Sequence, residues 1–233
     1  MTHVDELLSA VLASPDDDLP RLVYADTLEE AGDVARAEFI RVQIELARDP
    51  GRVELKAREA ALLAVHRRAW LSPLRKPGEA LENRATHGQF RRGFVEIVWT
   101  PAVWFLTRAK RLFERTPCRE LRVTRADESE FTALLRNRYL TQLRTLDLSD
   151  RKIGDAGATD IVACQRLAHL RGIRLRACNL TDTGACRIAY ARFDWPLEEL
   201  DVSLNGLSPL GLLSLQSRFG HDVVKFEPPP PID

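Results

Sequence analysis

The sequence predicts an α/β protein: a small N-terminal helical unit capping a short right-handed solenoid of parallel strands with outer helices. Leu143-Arg144-Thr145-Leu146-Asp147-Leu148 returns at Leu170-Arg171-Gly172-Ile173-Arg174-Leu175 and again at Leu197-Glu198-Glu199-Leu200-Asp201-Val202, each copy 27 residues after the last. Each copy has an apolar residue ten positions after its first Leu (Ile153, Leu180, Leu207) and a glycine fourteen positions after it (Gly157, Gly184, Gly211). A fixed period of this length marks a stacked array. Ahead of it, residues 1–71 carry helical periodicity instead.

Within that helical stretch, Val4, Leu7, Leu8, Val11 and Leu12 make one apolar stripe, with Thr2 as cap and Asp5 and Glu6 in the first turn. Ser14-Pro15 breaks it. A second helix carries Leu22, Val23, Ala25 and Leu28 inward and stops near Ala31-Gly32-Asp33. A third carries Ala37, Ile40, Ile44 and Leu46; a fourth, from about Arg52 to Trp70, turns Leu55, Leu62, Leu63 and Val65 inward. Residues 72–92 read as a connector, loop-rich over 72–89. Gly93–Trp99 is a strand ended by Pro101, Val103–Arg115 a helix, and Cys118–Val123 a strand of the repeat type. The array then fills 93–227 with about five strand–helix units, the first two degenerate. Asp222–Phe226 adds an edge strand, and the Pro-rich tail 228–233 reads as a cap or a polyproline segment.

Composition narrows the function. The hydrophobic share of 45% sustains a core, and no apolar run approaches the length of about 20 residues that crosses a bilayer. The start lacks a basic and then apolar leader, so a cytoplasmic location without membrane insertion is expected. Cys118, Cys164, Cys178 and Cys186 form no CxxC pair, and disulfides are not expected. There is no GxxxxGK[ST], HExxH or GxSxG, and His3, His66, His87, His169 and His221 are scattered. The expectation is a non-enzyme without metal or cofactor, monomeric or part of a hetero-complex.

Net charge is zero but uneven: −7 over 1–66, +9 over 67–125 and −2 beyond. The acidic head and basic middle read as mutual satisfaction; the alternative is a basic face for an acidic partner. A weaker reading is nucleic-acid binding through Arg67, Arg68, Arg75, Lys76, Arg84, Arg91, Arg92, Arg108, Lys110 and Arg111, with Trp70, Phe90 and Trp99 for stacking.

The run Arg21-Leu22-Val23-Tyr24-Ala25-Asp26-Thr27-Leu28-Glu29-Glu30-Ala31-Gly32-Asp33, with Arg36-Ala37-Glu38-Phe39-Ile40-Arg41 and Gln43, resembles the repeat-companion domain of planctomycetes and myxobacteria. Thr27 departs from its usual Trp. The resemblance implies company with repeat arrays and brings no activity. Asp26, Glu29, Glu30 and Glu38 read as a solvated helix face paired by Arg36 or Arg41, not as metal ligands or acid–base pairs, and Tyr24 as packing.

The array itself, LxxLxLxx(N/C)xL, resembles leucine-rich repeats of the ribonuclease-inhibitor type. Its ninth position holds Arg151, Cys178 and Asn205; the resemblance implies that Asn or Cys there bonds the neighbouring backbone. Parallel strands about 4.8 Å apart stack equivalent side chains into columns. One column reads Glu120, Thr145, Gly172, Glu199; the next Arg122, Asp147, Arg174, Asp201, alternating in sign; the third Thr124, Ser149, Arg176, Ser203. The expectation is a concave, partner-binding face made of Glu120, Arg122, Thr124, Thr145, Asp147, Ser149, Arg174, Arg176, Glu199, Asp201 and Ser203. The rival is a self-satisfied ladder without a ligand. Fold analogy alone also suggests a regulator of a small GTPase.

Overall fold

The computed structural model describes residues 3–74, 86–192 and 194–230. Thr2, Arg75, Lys76, Pro77-Gly78, Arg84 and Pro231 lie outside them. The chain divides into two compact units, one of residues 1–98 with 110–118, the other of 99–109 with 119–233.

The first unit holds α1 (His3–Ala13), α2 (Leu19–Glu30), α3 (Val34–Arg48) and α4 (Val53–Trp70). Pro20 sits in the first turn of α2, where its missing N–H costs nothing. Gly32 leaves that helix at φ +89°, and the Asp33 carboxylate caps α3 by accepting from the Arg36 N–H at 3.2 Å. Val11, Ala25, Leu28, Ala37, Ile40 and Ile44 form the core together with Phe94 from outside the helices. Val23 and Val65, expected inside, are 41% and 73% exposed. For Val65 the reason is that Leu62 is the one buried residue of α4, so its apolar contact is a narrow stripe.

The stretch read as connector contains a strand, β1 (His87–Arg91), adjacent to β2 (Phe94–Pro101). Its inward positions are Gly88 and Phe90. The glycine hid the alternation: a Cβ there would come within 2.8 Å of Leu71 and Leu74 side chains. The two-residue turn, Arg92-Gly93, has φ of +47° and +86°, as a tight hairpin with two left-handed centres demands. Gly93 has a second reason to be glycine, since a Cβ would lie 2.7 Å from the Ile40 Cα.

From α5 (Ala102–Phe113) onward, β3 (Glu120–Arg125), α6 (Glu128–Leu135), β4 (Thr145–Asp147), α7 (Gly154–Ala163), β5 (Gly172–Arg174), α8 (Asp182–Ala189), β6 (Glu199–Asp201), α9 (Pro209–Phe219) and β7 (Val224–Lys225) follow. β3 to β7 are parallel and adjacent in chain order. This is a mixed α/β array with outer helices. Leu121, Leu146, Ile173 and Leu200 pair rung by rung and are at most 1% exposed, which makes them its inner spine. A capping box of Asp127 and Glu130 opens α6, a helix the pattern did not single out.

Two of the glycines fourteen positions after the first Leu, Gly184 and Gly211, make room for carboxylates. Asp155 accepts hydrogen bonds from the Thr181 N–H (2.9 Å), the Thr181 hydroxyl (2.6 Å) and the Gly184 N–H (3.0 Å) of the next repeat. Asp182 likewise accepts from the Ser208 N–H (2.8 Å) and hydroxyl (2.6 Å). A Cβ at Gly184 or Gly211 would overlap these Asp side chains. The next position in the series is Pro209, with no carboxylate to hand on.

Candidate interaction surface

The strand register stacks two of the three expected columns on the β3–β6 ladder; the third, Thr124, Ser149, Arg176 and Ser203, lies beyond the paired residues. Arg122 faces Asp147, Asp147 faces Arg174, and Arg174 faces Asp201; Glu120, Thr145, Gly172 and Glu199 pair likewise. The charges, however, do not pair simply along the alternating column. Arg174 holds Glu199 through two bonds (Nε–Oε1 3.1 Å, Nη2–Oε2 2.9 Å) and reaches across β4 to Glu120 with Nη1 at 2.6 Å. Small side chains open that path: Gly172 carries none, and a Cβ on it would lie 2.7 Å from the Thr145 hydroxyl. Lys225 of β7 donates to Glu199 at 2.7 Å, so one network runs from β3 to β7.

Asp147 and Asp201 serve the backbone instead, each accepting from the N–H two residues on, at Ser149 and Ser203 (2.9 Å each). Arg122 turns mainly to Asp150 (3.0 Å), with Asp147 at 3.6 Å. Arg176 pairs with Glu227 at 2.8 Å. Burial alone would lower the Arg174 pKa, but its bonds to Glu199 and the charge of Glu120 raise it. Burial pushes the Glu199 carboxyl up, and its bonds from Arg174 and Lys225 outweigh that and bring it down.

Four of the eleven expected contact residues are buried: Glu120, Asp147, Ser149 and Ser203. Their polar atoms are used within the array, Ser203 Oγ for instance accepting from the Glu227 N–H at 3.1 Å. Arg122, Thr124, Thr145, Arg174, Arg176, Glu199 and Asp201 keep partial exposure. Asp150, Lys225 and Glu227 belong to the same networks and were not foreseen; their strand ends carry no repeat signature.

The ninth position performs as expected in two copies. Asn205 is 1% exposed; its Oδ1 accepts from the Cys178 and Leu180 N–H groups (2.9 and 3.0 Å) and its Nδ2 donates to the Leu175 carbonyl at 2.7 Å. The Cys178 thiol donates to the Leu148 carbonyl at 3.2 Å, and burial pushes its pKa up to about 12. In the first copy Arg151 Nε donates instead to the Ser149 carbonyl, at 3.4 Å.

The conspicuous polar residues of the helical stretch converge on one turn of the first unit. Arg21, fully buried, donates to the Pro15 carbonyl (2.6 Å), the Arg92 carbonyl (3.0 Å) and Glu96 (2.7 Å). Arg36 donates to the Gly93 carbonyl at 2.5 Å and lies over Phe39, Trp70, Phe90 and Phe94, 4.9 to 5.6 Å from their centroids. Burial lowers its pKa to about 10. Gln43 Oε1 accepts from the Gly93 N–H at 2.7 Å. Arg41 pairs with Asp26 and Glu29 (2.6 Å each) and Arg58 with Glu38, while Tyr24 packs on Phe94 at 5.5 Å. This chemistry holds a hairpin; among the described residues no group of His, Cys, Asp and Glu is arranged for a metal.

Three described cations of the basic middle are likewise committed. Arg67 donates to the Gly88 carbonyl (2.9 Å), Arg92 to Pro15, Asp16 and Glu96, and Lys110 pairs with Glu114. No helix among the described residues is long and apolar enough to cross a membrane.

Among known proteins, a family model described as Leucine Rich repeat matches residues 139–162 and 196–215. No curated protein matches the chain. Over those two stretches the chain carries leucine-rich repeats, a class that generally serves protein interaction.

Proposed function

We propose that the chain is a non-enzymatic interaction module, a scaffold or adaptor, presenting its leucine-rich-repeat surface to a protein partner. The observation that supports this best is the strand register, which gathers polar side chains of successive repeats on one face. On this reading Arg122, Thr124, Thr145, Arg176 and Asp201 meet the partner, while Glu120, Arg174 and Glu199 keep them in place. The N-terminal stretch, residues 1–71, is read as a repeat-companion domain, 93–227 as the array and 228–233 as its tail. The module acts in the cytoplasm, as a monomer or within a hetero-complex, and needs no cofactor. The test is affinity capture from native lysate with wild type and the Arg122→Glu/Arg176→Glu variant. A stoichiometric protein lost with the variant is the expected result; equal capture by both would sink the assignment of this face.

A further inference from the structure

Because β3 to β6 are parallel and each is entered from an outer helix, every helix-to-strand loop lies on the edge where the strands begin. The residues just ahead of those strands are Arg119, Arg144, Arg171 and Glu198, and they stand in one register. The Arg144 and Thr145 N–H groups donate to the Arg119 carbonyl, the Arg171 N–H to the Arg144 carbonyl and the Glu198 N–H to the Arg171 carbonyl. Arg136, Arg138 and Arg166 come from the same loops and are exposed. Arg119 with residues 136–144 and 164–171 gives six arginines and no acidic residue, and the fourth loop, 190–198, adds Arg192 against Asp194 and Glu198, a net of +5.

Helix ends do not absorb this charge. α6, α7 and α8 point their C-termini to this edge, each worth about half a negative charge, roughly −1.5 against +5. Some bonding is internal: Arg119 donates to the Gln142 carbonyl at 2.9 Å, and Arg171 pairs with Glu198, whose reversed sign closes the column. The excess remains positive.

We propose that this edge docks an acidic, extended segment of the partner protein, with Arg119, Arg144 and Arg171 as the central row. The inference rests on the reading of the chain as a protein-interaction module and names the partner's chemistry. Three rungs span about 10 Å, further than one carboxylate or phosphate bridges, so the ligand carries anions in a line. Carboxylates suit the planar guanidinium fork. A nucleic acid would also want aromatic faces for its bases. Of the aromatics described in these loops, Trp195 is buried, Tyr139 is half-buried with the Arg138 guanidinium 4.9 Å over its ring, and the exposed Tyr190 lies in the last loop, which carries Asp194 and Glu198.

The test uses the full chain and fluorescence anisotropy with a fluorescein-labelled peptide of alternating Glu and Ser, against a thymidine oligonucleotide of equal charge. Wild type is expected to bind the peptide at low salt and to lose it as salt rises. The Arg138→Gln/Arg144→Gln/Arg171→Gln variant should bind about tenfold more weakly, exposed pairs contributing about two- to threefold each, with an unchanged melting temperature. Lys152→Gln, exposed in the strand-to-helix loop at the opposite edge, should bind as wild type does. If the triple variant melts early, Arg138→Gln and Arg171→Gln alone carry the test, each weakening binding about twofold. No peptide binding at low salt, equal binding by the arginine variants, or tighter binding of the oligonucleotide at every salt concentration would overturn the proposal. A captured partner sensitive only to the concave-face variant would remove this edge and leave the interaction reading standing.

Discussion

Gln43 Oε1 accepts a 2.7 Å hydrogen bond from the backbone N–H of Gly93, fifty residues away in the chain. With Arg21 on the Arg92 carbonyl and Arg36 on the Gly93 carbonyl, it makes one hairpin turn the focus of α2 and α3. Gln43→Ala leaves a buried N–H without an acceptor, which costs about 1–3 kcal/mol. Gly93→Ala should cost more, because it adds left-handed strain to a Cβ that lands 2.7 Å from the Ile40 Cα. Urea unfolding of the two variants should rank them in that order; the reverse would mean the turn is held chiefly by something else.

How much of this was legible beforehand depended on whether a residue's reason was periodic. Leu146, Ile173 and Leu200 announced the spine because every repeat needs the same apolar volume at the same rung. Asp155 and Asp182 are also one period apart, as are Thr181 and Ser208, so their bonds were there to be read. Arg21, Arg36 and Gln43 stood out as a motif, but their shared target lies on β1–β2, and no spacing rule connects it to them. Arg174 bonding to Glu120 two strands away follows from the smallness of Gly172 and Thr145, a packing matter that an alternation of signs does not encode.

Position eight of each repeat is left-handed: Asp150, Ala177 and Leu204 have φ of +63°, +52° and +57°. A Cβ there costs roughly 1–2 kcal/mol per residue, while glycine loses more entropy on folding. Ala177→Gly removes only a methyl group and should stabilise the array by about 1 kcal/mol. Thermal melting checks it, and a destabilised variant would show that the turn is not strained.

The four thiols should differ in reactivity. Cys118, Cys164 and Cys178 are buried, and Cys186 is only partly covered. Burial holds the Cys178 pKa at about 12, so almost no thiolate forms near neutrality. Titration with an aromatic disulfide reagent should modify Cys186 alone in the native protein and all four cysteines in denaturant. Rapid native modification of Cys178 would mean that its bond to the Leu148 carbonyl opens readily.

Asp155 gives the array a defined response to acid. Burial by itself would raise its pKa, but the bonds from Thr181 and Gly184 prevail and hold it below the ordinary value of 3.8. A carboxyl depressed in the folded state adds stability that is fully present above its unfolded value and is lost as pH falls through the folded one. Glu199 is depressed too, through Arg174 and Lys225, so both contributions are intact near neutrality and fade below about pH 4. Asp155→Asn should lower the melting temperature at pH 7 and flatten its decline between about pH 5 and 2. A variant that keeps the full acid slope would show that the Asp155 bridge to the next repeat does not govern the transition.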